Sequence, residues 1–144
     1  MTVENILSGK GHNVITAGAN DSVASIVKTL AEKRIGAVLV TKPDGGLAGI
    51  VSERDVIRAL AERGNKAMDA KAQDIMTAKV HTCAPDDSEG ELMAMMTVNR
   101  IRHLPVMKAG KLAGMISIGD VVKYRMEAIE REAEEMKSYI ASAG

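Results

Sequence analysis

An internal repeat places the strongest constraint on what this chain can fold into. The segment 47–57 (LAGIVSERDVI) recurs as 112–122 (LAGMISIGDVV), at a constant offset of 65 residues. In both copies an apolar run ends at a serine (Ser52, Ser117), and an aspartate (Asp55, Asp120) follows at the start of a helical pattern. A repeat of this size is one supersecondary unit that cannot bury its hydrophobic face alone. The sequence therefore predicts two similar halves packed on each other.

The remaining pattern gives both halves the same order of elements. Apolar runs predict strands at 14–16, 37–40 and 47–51, and again at 80–82, 102–106 and 112–116. Helices are predicted to begin after residues 20 or 21, 52, 87 and 117, because apolar residues follow there with helical spacing. A short helix is also predicted near the start of each half, at 3–7 and 73–76. The predicted fold class is α/β (α+β), with two tandem β-α-β-β-α repeats about a pseudo-twofold axis and a long C-terminal helix. The predicted divisions are 1–66, 67–126 and 127–144.

Composition narrows the classes of function. The chain of 144 residues carries 19 Lys and Arg against 19 Asp and Glu, whereas a nucleic-acid-binding chain would carry a basic excess. Its apolar runs are strand-sized, its start is polar, and Cys83 is its single cysteine, so we expect no membrane span, no secretory signal and a cytoplasmic protein. Without Phe or Trp, any planar base has to lie between aliphatic side chains.

Two chemical alternatives are weak in this sequence. His81, His103 and Cys83 lie on two predicted strands without a third group to orient and activate a thiolate, so neither a metal site nor a catalytic cysteine is predicted. The methionine-rich run at 93–96 is interpreted as helix core packing rather than as a soft-metal site.

The duplicated G-[IM]-[VI]-S-x-x-D motif and the segment 102–106 (RHLPV) resemble the cystathionine β-synthase (CBS) domain. The arrangement looks like a tandem pair, often called a Bateman module, and the resemblance covers roughly residues 1–130. It implies a regulatory ligand-binding module and not an enzyme, with no metal and no required cofactor. Members of this family bind adenosine-containing ligands (AMP, ADP, ATP, NAD or S-adenosylmethionine) in two clefts between the repeats.

The resemblance also implies roles for particular residues. The motif aspartate contacts the ribose hydroxyls, the motif serine lies beside the ribose or phosphate, and a residue at the end of the first strand helps to hold the adenine. Basic residues just before the strand proline contact phosphate. By motif position, one cleft would use Thr16, Ser52 and Asp55, the other would use Thr82, Ser117 and Asp120, and the basic residues would be Arg102 and His103.

The two halves differ at the basic positions. The first half has Gly36 and Ala37 where the second has Arg102 and His103, and Arg54 stands where the second half has Gly119. We expect Arg102 to serve both clefts from near the pseudo-twofold axis, with Arg54 compensating in the first. Two sites of unequal affinity follow from this asymmetry.

Plainer interpretations of the motif remain open. A negative charge is favourable in the first turn of a helix, which would be enough to explain both aspartates. Serine is a preferred N-cap residue, which would be enough to explain both serines. The chain would then be a structural dimerisation module with vestigial clefts; a nucleic-acid binder is a third and weaker alternative. Ligand binding requires Asp55 and Asp120 to face the groove between the halves, without being bound to neighbouring side chains.

The C-terminal segment predicts self-association. Apolar residues recur there with the spacing of a heptad seam, and most of the other positions are charged. An apolar seam on a helix longer than one small repeat can cover favours a homodimer, although such a helix can also lie back on its own domain. A regulatory signal would pass through it to a separate partner protein of unknown identity. The seam residues are Val122, Met126, Ile129, Ala133, Met136 and Ile140.

Overall fold

The computed structural model describes residues 1–143 and, within them, gives the two halves the same order of elements except that the second half has no strand between its first two helices. The first half contains α1 (Val3–Lys10), β1 (Thr16–Gly18), α2 (Val23–Lys33), β2 (Ala37–Thr41), β3 (Leu47–Ser52) and α3 (Glu53–Arg63). A 3-10 helix at Gly64–Asp69 leads into the second half. That half contains α4 (Ala72–Ile75), α5 (Glu89–Asn99), β4 (His103–Lys108), β5 (Lys111–Ser117) and α6 (Ile118–Ala143).

Each half is built on an antiparallel hairpin. In the first half, β2 pairs antiparallel with β3 and parallel with β1, which gives a three-stranded sheet. In the second half, β4 and β5 form the corresponding hairpin. The predicted fold class, two tandem mixed α and β repeats with a long C-terminal helix, is confirmed.

The strand predicted at 80–82 is wrong: only one bridge forms there, between Cys83 and Val106. The Cys83 N–H donates to the Pro105 carbonyl, and the Asp87 carboxylate then closes a turn on the Ala84 N–H, so the ladder cannot continue. The helix caps predicted at 20 or 21 and at 87 are wrong by one or two residues. Because Asp21 and Asp87 accept from N–H groups of the turns before the helices, the caps are Ser22 and Ser88.

The two halves exchange the segments that precede their first strands. We call residues 3–12 and 72–81 the first and second lead segments. Val3, Ile6 and Leu7 of the first lead segment are buried in the core of the second half, beside Leu104 and Ile116. The second lead segment packs in the same way on the core of the first half, through Ala72, Ile75 and Met76. Each half therefore depends on the other for part of its core.

Two equivalent glycines make this exchange possible. A Cβ atom on Gly49 of β3 would lie 2.7 Å from both the Met76 Sδ and the Thr77 backbone oxygen. A Cβ atom on Gly114 of β5 would lie 2.8 Å from Cδ2 of Leu7. These distances leave no space for a side chain, so glycine at this motif position lets the opposite lead segment lie directly on the hairpin.

Helix α6 begins on the second half and continues well beyond it. Val121 is buried, and Arg125 Nε donates to the buried Glu89 carboxylate at 2.9 Å. The larger side chains of the seam are uncovered in the single chain: Val122, Met126, Ile129, Met136 and Ile140 are 49% to 64% exposed. No helix in the described part of the chain combines the length and the apolarity needed to cross a bilayer.

Candidate functional site

The larger of two clefts lies where β3 and α3 of the first half face the second lead segment and the start of β4. Its volume is about 560 Å³, which is within the range of small-molecule sites. Apolar side chains form part of its wall, and this part is entirely aliphatic: Ile50, Ile57, Val80 and Ile101.

Asp55 lies at the wall of this cleft and is 6% exposed. Ser52 has extended backbone at the N-cap of α3, and its N–H and Oγ donate to Asp55 Oδ2 at 2.9 and 3.0 Å. Thr77 of the second lead segment donates from Oγ1 to Asp55 Oδ1 at 3.0 Å. The donors within hydrogen-bonding distance are thus a backbone amide and two hydroxyl groups, all of them neutral. Asp55 faces the cleft, as ligand binding requires, but it is bound to neighbouring side chains, so the second part of that requirement is not met.

Positive charge converges on the same cleft. Its fixed cations are Arg54, Arg58, Lys79, Arg100 and Arg102, and its carboxylates are Glu53 and Asp55. Within residues 1–143, the only one of these cations that lies within 4 Å of a carboxylate is Arg58, whose Nη1 is 3.9 Å from Asp55 Oδ1. An excess of unpaired guanidinium and ammonium groups around a cleft is suited to binding an anion.

His103 lies between the two halves. A Cβ atom on Gly36 would lie 3.1 Å from its Cε1, so the ring occupies space that a side chain at 36 would fill. Burial, the largest influence, and the charges of Lys10 and Arg102 lower the pKa of His103, against the opposing effect of Asp120 and Glu53. His103 therefore feels charges from both halves, and the ring favours its neutral form.

The carboxylate of the second motif has a different partner. Lys10 Nζ, from the first lead segment, donates to Asp120 Oδ2 and to the Met115 carbonyl, both at 2.6 Å. The Ser117 N–H donates to the same Oδ2 at 2.8 Å. Burial alone would raise the pKa of the Asp120 carboxyl, but the hydrogen bonds from Lys10 and Ser117 and the Lys10 charge outweigh it and lower the pKa. The adjoining cleft has a volume of about 200 Å³.

The structure brings together some of the predicted site residues and separates others. Ser52, Arg54, Asp55, Arg102 and His103 all line the larger cleft. Asp120 lines the smaller one, and Ser117 caps α6 by accepting from the Asp120 N–H at 3.2 Å. Thr16 and Thr82 line neither cleft, and both are exposed.

Residues of the lead segments were missed. Thr77 and Lys79 line the larger cleft, and Lys10 lines the smaller one. The signal that points to them is the similarity between ENIL at 4–7 and QDIM at 73–76, which makes the following residues equivalent in the two halves. The exchange of the lead segments then brings Thr77 to Asp55 and Lys10 to Asp120, each in the opposite half.

The structure offers little for metal or nucleophilic chemistry. Among residues 1–143, no three His, Cys, Asp or Glu side chains converge on a metal-sized site. Cys83 is buried, and burial followed by the Asp87 charge raises the pKa of its thiol to about 12. A thiol with that pKa stays protonated at neutral pH and is a poor nucleophile.

Comparison with known proteins agrees with the repeat structure. The model of the CBS domain matches twice, over residues 4–62 and 72–127. The CBS domain-containing protein CBSX3, mitochondrial, of Arabidopsis thaliana is 35% identical over 147 residues, which span 96% of this chain and 71% of that protein.

Solved structures share the whole fold. The CBS-domain containing protein ATU1752 from Agrobacterium tumefaciens is 42% identical with a TM-score of 0.84, over 86% of this chain and 92% of that one. The CBS domain pair of protein MJ0100, solved in complex with 5′-methylthioadenosine and S-adenosyl-L-methionine, is 24% identical with a TM-score of 0.79, over 89% and 98% of the two chains. This chain therefore belongs to the CBS domain family, and its two matches form a tandem pair.

Proposed function

We propose that the larger cleft binds an adenosine nucleotide that carries phosphate, and that the chain is a regulatory module which responds to this ligand. The observation that carries the proposal is the set of unpaired cations around Asp55 in a cleft of about 560 Å³. The CBS domain pair of MJ0100 was solved with two adenosine compounds, so this fold accepts such ligands in another protein.

Asp55 is the proposed anchor for the ribose. A carboxylate only accepts hydrogen bonds, and two vicinal hydroxyls present two donors at matching spacing. The hydroxyls that now donate to it, from Ser52 and Thr77, can rotate and accept a hydrogen bond instead. A ribose can therefore reach Asp55 without breaking a close ion pair. The one ion pair that it would separate is the long contact between Asp55 and Arg58.

The phosphate side of the ligand is proposed to face the cations. Arg54 follows the N-cap of α3, and Arg102 and His103 lie at the start of β4, so two elements present basic groups to one anion. A guanidinium fork matches phosphate oxygens in geometry and charge. This charge balance favours AMP, ADP or ATP over S-adenosylmethionine, because a sulfonium cation would be repelled by the same groups.

The base is proposed to lie between aliphatic side chains. The cleft offers Ile50, Ile57, Val80 and Ile101 and no aromatic ring. Ile57 is 66% exposed, so a bound base would remove apolar surface from water.

The output of the module is proposed to pass through a homodimer. The seam on α6 is uncovered in the single chain, and 26 residues of helix extend for roughly 39 Å. Pairing of two such seams would bury the exposed methionines and isoleucines. A ligand would then change the signal to a separate partner protein by favouring one arrangement of the two halves over another.

Thermal unfolding with added ligand tests the proposal. AMP, ADP or ATP at 100 times its dissociation constant should raise the free energy of unfolding by about 2.7 kcal/mol. Inosine monophosphate, which carries the same phosphate on a different base, should raise it less when added at the same concentration as AMP. Replacing Asp55 by Asn should abolish most of the shift.

A second candidate, a structural dimerisation module, is favoured by one observation. Asp55 already completes the cap of α3, as it would without any ligand. The absence of a shift with every adenosine compound, together with a stable dimer in light scattering, would support this alternative and overturn the first.

A further inference from the structure

Lys10 and Thr77 form equivalent hydrogen bonds at the two motif aspartates. Thr77 uses two groups, its backbone N–H and its hydroxyl, whereas Lys10 uses its single ammonium group. In the first half, the Thr77 N–H donates to the Ile50 carbonyl at 2.9 Å, and the Thr77 hydroxyl donates to Asp55. Met115 and Asp120 are the residues equivalent to Ile50 and Asp55, and Lys10 Nζ donates to both of them at 2.6 Å. The first lead segment therefore fills this position with a charged side chain, where the second uses a backbone bridge and a neutral hydroxyl.

This difference changes the charge of the two clefts. The smaller cleft has Lys10 and Lys123 against Asp120 and Glu127, so its fixed charges balance. The larger cleft has five cations against two carboxylates. At about 200 Å³, the smaller cleft is also below the volume range of small-molecule sites. A nucleotide would therefore bind there more weakly than in the larger cleft, even with the Asp120 carboxylate available to it.

A ligand would also have to compete with the ion pair. Asp120 Oδ2 accepts from Lys10 Nζ and from the Ser117 N–H, so a ribose diol that uses both carboxylate oxygens would have to displace the ammonium group. The side chains of Lys10 and Asp120 are only 35% and 23% exposed, so water screens this pair less than a fully exposed one. A charge-assisted hydrogen bond of this kind is stronger than one from a neutral hydroxyl.

We propose that Lys10 closes the second cleft, so that the chain binds one nucleotide and not two. Lys10 then acts as a built-in substitute for the ligand, and it is the residue that decides the number of sites. The inference rests on the nucleotide site proposed at Asp55, and it adds that the equivalent site at Asp120 is blocked by the chain itself.

Binding stoichiometry tests this directly, with AMP as the probe in titration calorimetry. Wild type should bind one equivalent and Lys10→Met two, because methionine keeps the length of the side chain and removes the ammonium. The second equivalent should bind about 10- to 100-fold more weakly than the first, since the smaller cleft lacks the cation excess. Lys123→Met is the matched control: it removes a charge from the same cleft but leaves the Lys10–Asp120 pair, so it should bind one equivalent.

Asp55→Asn separates the two clefts. Alone it should bind no AMP in the concentration range where wild type saturates, and combined with Lys10→Met it should bind one equivalent, at the newly opened cleft. The urea midpoint of each variant establishes that it is folded.

Two results would overturn the inference and leave the proposed function intact: two equivalents bound by wild type, or one equivalent bound by a folded Lys10→Met. Failure of all the proteins to bind AMP, ADP or ATP would instead overturn the proposed function, and the inference with it.

Discussion

The two motif aspartates hold equivalent positions 65 residues apart, yet they have different surroundings. Asp55 accepts hydrogen bonds from neutral donors and lines a large cleft rich in cations. Asp120 accepts a hydrogen bond from the ammonium group of Lys10 and lines a small cleft whose fixed charges balance. In each half the serine before the aspartate caps a helix in the same way. The motif thus sets the local backbone, whereas the group that reaches across from the other half decides what the carboxylate is free to bind.

A duplicated motif therefore does not guarantee two equal surroundings for its aspartates. The decisive groups, Thr77 and Lys10, belong to lead segments that are exchanged between the halves. One copy can therefore lose its ligand through a change in a segment that is distant in sequence.

The largest effect is expected at the glycines under the exchanged segments. Gly49→Ala should lower the free energy of unfolding by about 3 kcal/mol, because its Cβ would lie 2.7 Å from the Thr77 backbone oxygen, which cannot move away alone. Gly114→Ala should cost about 1–2 kcal/mol, because the Cβ there meets the flexible end of Leu7 at 2.8 Å. Urea unfolding measures both.

Gly45→Asn is a matched control, because a Cβ at 45 meets nothing within 4 Å and asparagine tolerates the positive φ of this turn. It should cost less than either alanine substitution. Equal losses for Gly49→Ala and Gly114→Ala would mean that the two lead segments are held with equal rigidity, contrary to the structure.

The second effect concerns the aspartates themselves. Asp55→Ala should weaken AMP binding by about 1.5–3 kcal/mol, the range for hydrogen bonds to a charged group. Asp120→Ala should leave the affinity within twofold of wild type, since its carboxylate is already occupied by Lys10. Calorimetry at one pH and salt concentration compares them, and similar losses for both variants would contradict the division between an open and a closed cleft.

Much of this fold could be predicted from the sequence, because it depends on local pattern. The repeat at constant offset, the apolar runs and the Ser-x-x-Asp spacing fix the hairpins and the caps at Ser52 and Ser117. The exchange of lead segments could not be predicted in this way. It depends on which hairpin each lead segment packs on, and local pattern does not determine this. The lead segments also repeat at a different spacing: Leu7 and Met76 are 69 residues apart, whereas the hairpins repeat after 65 residues.

The site was predicted only where the motif defines it. The sequence placed Asp55 at one cleft and Arg102 at both; the two residues line the larger cleft, and Arg102 is not among the residues that line the smaller one. It did not indicate Thr77 or Lys10: the similarity of 4–7 and 73–76 makes the residues that follow equivalent, but it does not show that their side chains cross to the opposite half. Thr16 and Thr82, to which the family resemblance gave a role in holding the adenine, line neither cleft, and the side chain that reaches Asp55 from the opposite half is Thr77.

The third effect is the stability that the Lys10–Asp120 pair contributes, about 1 kcal/mol or less for a partly exposed pair. The pKa of Asp120 is lower in the folded chain than its ordinary 3.8, so the stabilisation is present above pH 4 and is lost as the pH falls through the folded value. The difference in unfolding free energy between wild type and Lys10→Met should therefore be constant above pH 4 and shrink below it. A difference unchanged down to pH 2 would mean that the two groups do not interact as an ion pair.

The smallest expected effect is the uptake of a fraction of a proton by His103 when the nucleotide binds. Burial, Lys10 and Arg102 lower the pKa of this imidazole, while Asp120 and Glu53 oppose them, so it is mostly neutral near pH 7. A phosphate bound in the larger cleft adds negative charge beside the ring and raises its pKa, which makes the protein take up protons on binding. Calorimetry near pH 6 in two buffers of different ionisation enthalpy measures this uptake, and His103→Gln should abolish the part due to the protein. Proton uptake that persists unchanged in His103→Gln would assign it to the nucleotide.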